Sequence, residues 1–323
     1  MAAVVLTSSC INDDQDDCGL NLTFRYVYNV KSADAFGTEV KSIAVYAFDK
    51  DGKFVERYDR SADKLPTGYT MNIRGLRAGK YTFVCLARSV QAADAKKDFA
   101  FAELTPGQST IDDLKEKLPL DANGETNQDF ASLYVGKTDV DVENGPCSGR
   151  IDLMKCTNRV RVIIMPPKPG DTSFTAENFS MRVDGASAWL NHDGSRNGDV
   201  AVTYRPFNQV VDVADGAVTG GEAIDRAVVA DFKLSRLFDG SKPTLTINDL
   251  RNGNEVFKID LAWLFTLQGM GIKFDDWAAD WSDQEYLDRQ DFYTLTVFVN
   301  GDWIFEDKVV VNGWVLNLID TDL

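Results

Sequence analysis

Histidine is nearly absent from this chain, and the cysteines are few. Among 323 residues there are one histidine, His192, and five cysteines. A Ser-His-Asp triad needs a histidine, and His192 alone cannot build a zinc site without other ligands. No two cysteines have the C-x-x-C spacing of a metal or redox site. His192 lies in the polar run Asn191-His-Asp-Gly194, which is typical of a surface turn. The sequence therefore predicts no bound metal and no cofactor.

Long apolar runs and an excess of basic residues are absent as well. No run of about 18 apolar residues occurs, so no helix is expected to span a membrane. Fifty acidic residues against 34 basic ones give a formal net charge of −16. This charge repels a phosphate backbone, so nucleic acid is not an expected partner. It suits a solvated surface protein that must not aggregate.

The abundant carboxylates form no recognisable catalytic or calcium site. Asp49-Lys-Asp-Gly52 resembles the opening of a calcium loop. An EF-hand needs a bidentate Glu at its twelfth position, and here that position is Arg60. An Asp-Gly turn between two strands explains these residues better. A glycosidase pair cannot be picked out among 50 carboxylates, so we expect no enzyme and keep a surface hydrolase as a distant alternative.

The first eighteen residues have the order of a bacterial lipoprotein signal. An apolar run from Met1 to Leu6 is followed by small hydroxyl residues, by Cys10 and by the aspartates Asp13, Asp14, Asp16 and Asp17. The alternative is a buried N-terminal strand, but a strand does not continue into a block of like charges. We therefore predict a signal remnant and acidic tether over residues 1–18. Cys10 is the predicted lipidation site, exposed by cleavage behind Ser9, and several acyl chains there would give stable membrane anchoring.

Period-two alternation of apolar residues recurs along the chain and predicts strands. The first such run has Leu20, Leu22, Phe24 and Tyr26 on one face. Similar runs surround Val45, Val162, Val297 and Leu316. Asx-Gly dipeptides, which favour tight hairpin turns, separate them: they are at 51–52, 123–124, 144–145, 184–185, 193–194, 197–198, 215–216, 239–240, 252–253, 300–301 and 312–313. The pattern predicts an all-β protein.

Helices are expected to be short. Ser109 or Thr110 could cap a helix in which Ile111, Leu114 and Leu118 share a face, and Ser282 could cap 283–289, with Glu285 at the capping-box position. The turn-rich segment 144–146 predicts a boundary between an N-terminal domain, 19–147, and a C-terminal domain, 148–323. The pairing of the four remaining cysteines is left open: Cys18, Cys85, Cys147 and Cys156.

Several stretches, in their order along the chain, resemble a known family. They are Cys18-Gly-Leu-Asn-Leu-Thr-Phe-Arg-Tyr26, Val45-Tyr-Ala-Phe-Asp-Lys-Asp-Gly52, Leu133-Tyr-Val-Gly136, Thr157-Asn-Arg-Val-Arg161, Glu285-Tyr-Leu-Asp-Arg289 and Asn312-Gly-Trp314. With the acidic N-terminus, they are similar to the fimbrillin-associated anchor lipoproteins of Bacteroidales. Each motif alone is weak, but the set spans nearly the whole chain.

The resemblance implies two tandem β-sandwiches with transthyretin-like Greek-key topology. It also implies a non-catalytic protein, lipidated in the outer membrane, that faces the cell exterior and anchors or caps a fimbria. Its implied partners are fimbrial shaft or accessory subunits, bound by strand complementation, in which a free sheet edge gains the main-chain hydrogen bonds of another chain's strand.

A second function is suggested by the aromatic residues of the segment 263–281. Trp263, Trp277 and Trp281 could stack on sugar rings or hold a protein partner if they are exposed together. The alternative function is therefore a surface lipoprotein that binds glycans or a host protein. The same tryptophans could instead lie in the core or hold the two domains together.

Overall fold

The computed structural model describes most of the chain after the acidic segment. The described residues are 19–94, 98–166, 171, 173–198, 200, 202–212, 218–219, 222–223, 226–273, 280–299, 305–311 and 314–317. Within these ranges no helix is long and apolar enough to cross a membrane.

Strands make up most of the described secondary structure. In the first half they are β1 Leu20–Tyr28, β2 Ser42–Asp49, β3 Phe54–Ser61, β4 Thr70–Ile73, β5 Gly79–Arg88, β6 Ala100–Phe101, β7 Lys115–Lys117, β8 Glu125–Thr126, β9 Leu133–Val142 and β10 Cys147–Lys155. In the second half they are β11 Thr157–Met165, β12 Phe179–Asp184, β13 Trp189–Asn191, β14 Thr203–Tyr204, β15 Asn208–Asp212, β16 Val218–Thr219, β17 Glu222–Ala223, β18 Ala227–Ser235, β19 Thr244–Asp249, β20 Asn254–Asp260, β21 Phe292–Val299, β22 Phe305–Val311 and β23 Trp314–Asn317. The helices are α1 Phe36–Glu39, α2 Leu261–Lys273 and α3 Asp283–Arg289.

The first half folds one seven-stranded sheet back on itself. The strand order is β3-β2-β5-β9-β10-β1-β4. Strands β9 and β10 pair at only two positions, so the sheet turns sharply there. The two layers, β2-β5-β9 and β10-β1-β4, enclose a core that contains Leu22 and Phe24 of β1, Val45 of β2 and Ile151 of β10. The predicted alternation of β1 is confirmed, because Leu20, Leu22, Phe24 and Tyr26 are all buried. The result is a β-sandwich with its first strand parallel to its last.

The second half is a sandwich of two separate sheets. A six-stranded sheet has the order β15-β18-β11-β21-β22-β23, and a five-stranded sheet has the order β20-β19-β12-β14-β8. The core between them includes Val162 of β11, Phe232 of β18, Met181 of β12 and Ile247 of β19. The protein is thus all-β, with two tandem transthyretin-like Greek-key sandwiches, and this fold prediction is confirmed.

Strands from the first half also pair with strands from the second. Strand β8 pairs with β14 at the end of the five-stranded sheet. Strand β7 lies between β6 and β13 in a three-stranded sheet. One continuous apolar cluster therefore runs from the outer face of the first sandwich, at Tyr46 and Leu86, into the core of the second, at Phe232. The predicted boundary at 147/148 stays a prediction, and β10 beyond it belongs to the seven-stranded sheet.

The helices agree only in part with the sequence predictions. Helix α3 is confirmed, and the Ser282 hydroxyl accepts the N–H of Glu285, as a capping residue should. The helix predicted from Ile111 to Leu118 is wrong. A single 3-10 turn, Ile111–Asp113, is followed at once by strand β7, although Leu114 and Leu118 are buried as expected. Helix α2, thirteen residues long, was not predicted.

Candidate functional site

The predicted lipidation site, Cys10, lies outside the described residues, as do Cys18 and Trp277. Of the other two candidate tryptophans, Trp263 occupies the first turn of α2, where Asp260 caps the helix by accepting the N–H groups of Ala262 and Trp263. Its side chain is 41% exposed. Trp263 is therefore one of the exposed large apolar residues of the described chain.

Trp281 has a different environment. Its partly buried ring lies 4.6 Å from the guanidinium of Arg289, which lies 4.2 Å from the ring of Tyr28. Arg289 also donates to the Glu285 carboxylate at 2.8 Å and accepts the N–H of Val30 through its carbonyl oxygen. We call Tyr28, Arg289 and Trp281 the arginine clamp, because it joins the end of β1 to α3.

The histidine and the Asp-Gly turn behave as structural elements. His192 is half-buried in the turn after β13, and burial lowers its pKa. Asp49 accepts the N–H groups of Asp51 and Lys53 and so closes the β2–β3 hairpin, where Gly52 has a φ of 71°. In the described part of the chain, no group of three or more His, Cys, Asp or Glu side chains could hold a metal ion.

The outer edge of β3 is one of the two free edges of the first sandwich's sheet, and beyond Phe54, whose backbone bonds to residues 107 and 109, no described strand covers it. This strand ends the seven-stranded sheet, and it pairs only with β2 among the described strands. Its register places Tyr58 opposite Val45, which lies in the core of the first sandwich. The side chains of Glu56, Tyr58 and Arg60 therefore lie on the face of β3 that is directed towards β4. Charged side chains on such an edge disfavour unspecific pairing between copies. The edge is thus not paired by any other described strand, and it carries charged side chains.

A first cavity flanks the start of this edge. It has a volume of about 390 Å³ and is lined by apolar and charged side chains, among them Tyr46, Phe54, Leu104, Glu103 and Arg57. The buried Tyr46 hydroxyl has no hydrogen-bond partner, and burial raises the pKa of Tyr46 to about 12. The Arg57 guanidinium lies 5.3 Å from the Tyr46 ring. This cavity offers an apolar floor with charges of both signs at its rim.

A second cavity separates β3 from β4, the strand at the other end of the folded sheet. Its volume is about 440 Å³, and its lining includes Tyr58, Arg60, Tyr69 and Met71. The Tyr58 hydroxyl donates to the Glu56 carboxylate at 2.9 Å, while no ion pair of Arg60 occurs among the described residues. We call this cavity the edge groove. It brings the two unpaired ends of one sheet to a single surface.

Polar contacts at the junction of the sandwiches were missed by sequence reasoning. The Lys155 ammonium contacts Glu39 at 2.8 Å and also contacts Asp291. Tyr134 donates to the same Glu39 oxygen at 2.6 Å. These partners are 95 to 136 residues apart along the chain, so no local pattern could have paired them.

Comparisons with known proteins agree over nearly the whole chain. The family described as fimbrillin-A associated anchor proteins Mfa1 and Mfa2 matches residues 14–320. The minor fimbrium anchoring subunit Mfa2 of Porphyromonas gingivalis is 25% identical over 260 residues, which are 78% of this chain and 73% of that protein.

Solved structures give the same picture. A protein of Bacteroides thetaiotaomicron, described as a candidate polysaccharide-binding protein, is 28% identical with a TM-score of 0.78, and the match covers 94% of this chain and 99% of that one. The fimbrial anchor protein Mfa2 of Porphyromonas gingivalis has a TM-score of 0.68 at 20% identity, covering 93% of this chain and 98% of its own. At that identity the second likeness concerns the fold.

Proposed function

The chain belongs to the family of fimbrillin-A associated anchor proteins Mfa1 and Mfa2, and from this membership we propose that it holds a fimbria at the cell surface. In this proposal it is a non-catalytic lipoprotein of the outer membrane that faces the exterior and binds a fimbrial subunit. The observation that carries the proposal is the family match over residues 14–320. The name of the relative Mfa2, a minor fimbrium anchoring subunit, supports the same role.

Membrane attachment would rest on Cys10. Its thiol would carry the lipid, and the following aspartates would form a solvated tether to the first strand. Replacing Cys10 by Ala should leave the fold unchanged and release the protein from the membrane fraction. The matched control is Cys147→Ala, a free thiol in the first sandwich, which should stay with the membrane. A Cys10→Ala protein that is retained would contradict the lipid anchor.

Fimbrial binding would use strand complementation at β3. An extended segment of a fimbrial subunit could pair with the open backbone edge from Glu56 to Arg60, adding main-chain hydrogen bonds to the sheet. Side chains of a strand alternate between its two faces. Alternate residues of the added segment would therefore meet the cavity at Tyr46 on one face and the edge groove at Tyr58 on the other.

The lining of the two cavities suggests what the added segment should carry. The floor formed by Tyr46, Phe54 and Leu104 fits an apolar side chain. Arg60, which has no ion pair in the described part of the chain, fits an acidic side chain in the edge groove. The preferred partner is thus an extended segment with apolar and acidic residues on opposite faces.

This interface can be tested by charge reversal. Arg60→Glu should weaken binding of the isolated fimbrial subunit about tenfold or more, because it places like charges face to face. The control is Lys258→Glu, an exposed cation on β20 at an edge of the second sandwich, which should bind like wild type. Equal binding by both variants would rule out the β3 edge but not the anchor role.

The anchor role itself is tested in the native host. Cells that lack the gene should carry longer fimbriae or shed them into the medium, and Cys10→Ala should reproduce the shedding. Unchanged fimbriae on the deletion strain would overturn the proposal.

A second candidate function is glycan binding at the cell surface. It is favoured by the exposed Trp263 and by the likeness to the candidate polysaccharide-binding protein of Bacteroides thetaiotaomicron. Stacking of a sugar ring on an exposed aromatic side chain would supply the affinity. Binding to a glycan array that is lost in Trp263→Ala and kept in Leu250→Ala, another exposed apolar residue, would support this function.

A further inference from the structure

A carboxyl group lies where the alternation of its strand calls for an apolar residue. In β7 and its flanks, Leu114, Glu116 and Leu118 share one face, and both leucines are in the core. The neighbouring strands place Phe101 and Leu190 directly opposite Glu116. Side chains paired across strands lie on the same face of a sheet. Glu116 therefore occupies an apolar position at the centre of the three-stranded sheet.

The Glu116 carboxyl group is fully buried and unpaired. Its exposed fraction is 0%, and neither of its oxygens has a hydrogen-bond partner. An ionised carboxylate in this place would lose its hydration, and the backbone N–H of Glu116 would offset only part of that loss, whereas the protonated form loses much less. Burial consequently raises the pKa of Glu116 well above its ordinary value, and the negative charge of Asp193 raises it further.

The charged group that acts on this carboxyl group from the neighbouring turns is acidic. Arg196 bridges to Leu190 across the hairpin after β13, but it is exposed to solvent. The turn after β13 contributes Asp193, and the β10–β11 turn contributes the buried thiol of Cys156. These turns are tightly packed, because a Cβ atom on Gly194 would lie 2.8 Å from the Cys156 sulfur. Arg236 reaches the same place, but it donates to the Gly194 carbonyl and to both oxygens of Asp288.

The remaining charged groups nearby are engaged elsewhere. Lys117 alternates with Glu116 along β7 and lies 4.6 Å from the Trp189 ring. Arg88 packs on the ring of Phe101 at 3.7 Å and donates to a backbone carbonyl. His192, beside Asp193, has its pKa lowered by burial and so favours the neutral form.

The position of Glu116 ties its protonation to the contact between the two halves of the chain. Strand β7 comes from the first half and pairs with β13 of the second, and the Leu118 N–H extends this pairing to the Ala188 carbonyl at 3.0 Å. Separation of these strands would expose Glu116 to water. We propose that Glu116 is a pH-sensitive latch: the junction stays closed while the carboxyl group holds its proton, and it opens more often as the pH rises.

Proton linkage explains why the junction should open more often as the pH rises. In the open junction Glu116 is solvated and titrates at its ordinary pKa, whereas in the closed junction its pKa is raised. Between these two values the open form has lost a proton that the closed form keeps, so the opening constant rises about tenfold per pH unit. Above the closed-state pKa the opening constant levels off. The same linkage predicts that the opening constant no longer depends on pH once the carboxyl group is replaced by an amide.

Amide hydrogen exchange tests the latch, with rates corrected for the intrinsic effect of pH. The readout is the protection of the backbone amides of β7 and β13. In the wild type, protection should fall about tenfold per pH unit above pH about 5 until it levels off. In Glu116→Gln it should not change with pH. Glu255→Gln, an exposed carboxyl on β20, should behave like the wild type.

A second variant tests the latch in case Glu116→Gln does not fold. Asp193→Asn removes the negative charge that adds to the raised pKa, so protection should level off at lower pH than in the wild type. Wild-type protection independent of pH, an equal slope in Glu116→Gln, or a levelling point unmoved in Asp193→Asn would each overturn the latch.

Discussion

Arg236 and Asp288 form a two-pronged ion pair in which both nitrogen–oxygen distances are 2.7 Å. Their side chains are only 13% and 4% exposed. Arg236 follows β18 and Asp288 lies in α3, so the pair fixes the short helix to the second sandwich. The Gln284 side chain adds a hydrogen bond to Asp288 at 2.9 Å. The charges are therefore buried but well matched.

Breaking this pair should be costly. Asp288→Ala leaves the buried Arg236 guanidinium without its partner, and we expect the free energy of unfolding in urea to fall by about 3–5 kcal/mol. The control is Lys50→Ala, whose exposed ion pair with Asp51 is screened by solvent and should contribute little to stability. Similar losses for the two variants would show that burial of the Arg236 pair is not decisive.

The arginine clamp depends on a flat side chain. Arg289→Lys keeps the positive charge but loses the planar group that packs between Tyr28 and Trp281. We expect a loss of about 1–2 kcal/mol in the free energy of unfolding. The same substitution at the half-exposed Arg182, which pairs with the half-exposed Asp184, should change stability by less than about 0.5 kcal/mol. A tolerated Arg289→Lys would mean that charge alone holds the clamp.

The free thiols should differ strongly in reactivity. Cys85 and Cys156 are fully buried, and burial raises the pKa of both thiols. Since the thiolate is the reactive form, both should resist a maleimide reagent at neutral pH while the half-exposed Cys147 reacts. Peptide mapping by mass spectrometry after short labelling measures the three rates. Fast labelling of Cys85 would contradict the packing of the first core.

Lys233 should make the free energy of unfolding depend on pH in the alkaline range. Its ammonium donates to the Ser132 hydroxyl, and burial, with Lys155 and Arg159 nearby, lowers its pKa to about 8. The unfolded chain holds this proton up to about pH 10.4, so it binds more protons than the folded chain between these values. The Lys233 contribution to stability therefore rises with pH over that range.

The measurement is the free energy of unfolding of wild type relative to Lys233→Met at a series of pH values. The free energy of unfolding of the wild type should increase relative to that of Lys233→Met from pH 8 to 10. Below pH 7 the difference between the two proteins should not change with pH. Lys258→Met, an exposed lysine on β20, gives the background dependence. Parallel curves for wild type and Lys233→Met would refute the lowered pKa.

The sequence predicted the strands well because their signal is local. One face of β1 alternates without interruption from Leu20 to Tyr26, and Gly124, Gly194 and Gly253 have the positive φ that their Asx-Gly turns require. The cap of α3 was readable for the same reason, since Ser282 and Glu285 lie within one turn.

The errors have physical causes too. Ile111, Leu114 and Leu118 fit helical spacing, and the strand spacing of Leu114, Glu116 and Leu118 was hidden because a carboxyl group stands at its centre. Helix α2 was missed because Leu261, Ala262, Leu264 and Phe265 are all buried, so no polar face marks the helical period.

The residues of the candidate site could be predicted from the sequence less well than the fold. The openness of β3 depends on which strands happen to end the sheet, and this is a property of topology rather than of the residues of β3. The arginine clamp joins residues about 260 positions apart, as the contact between Arg289 and Asn29 shows. The sequence indicates that Trp281 could bind a ligand, but its contact with Arg289 is visible only in the three-dimensional structure.

The parallel pairing of β1 with β10 has a mechanical consequence. A pull on the chain ahead of Leu20 acts along the axis of β1, whose residues Leu20 to Arg25 are paired in unbroken register with β10. The load is then shared by all these hydrogen bonds at once, and four buried side chains must slide together before any bond is lost. A strand loaded in shear resists far more force than one peeled from its end. In the proposed anchor, this pairing would let the first sandwich resist tension applied at its N-terminus.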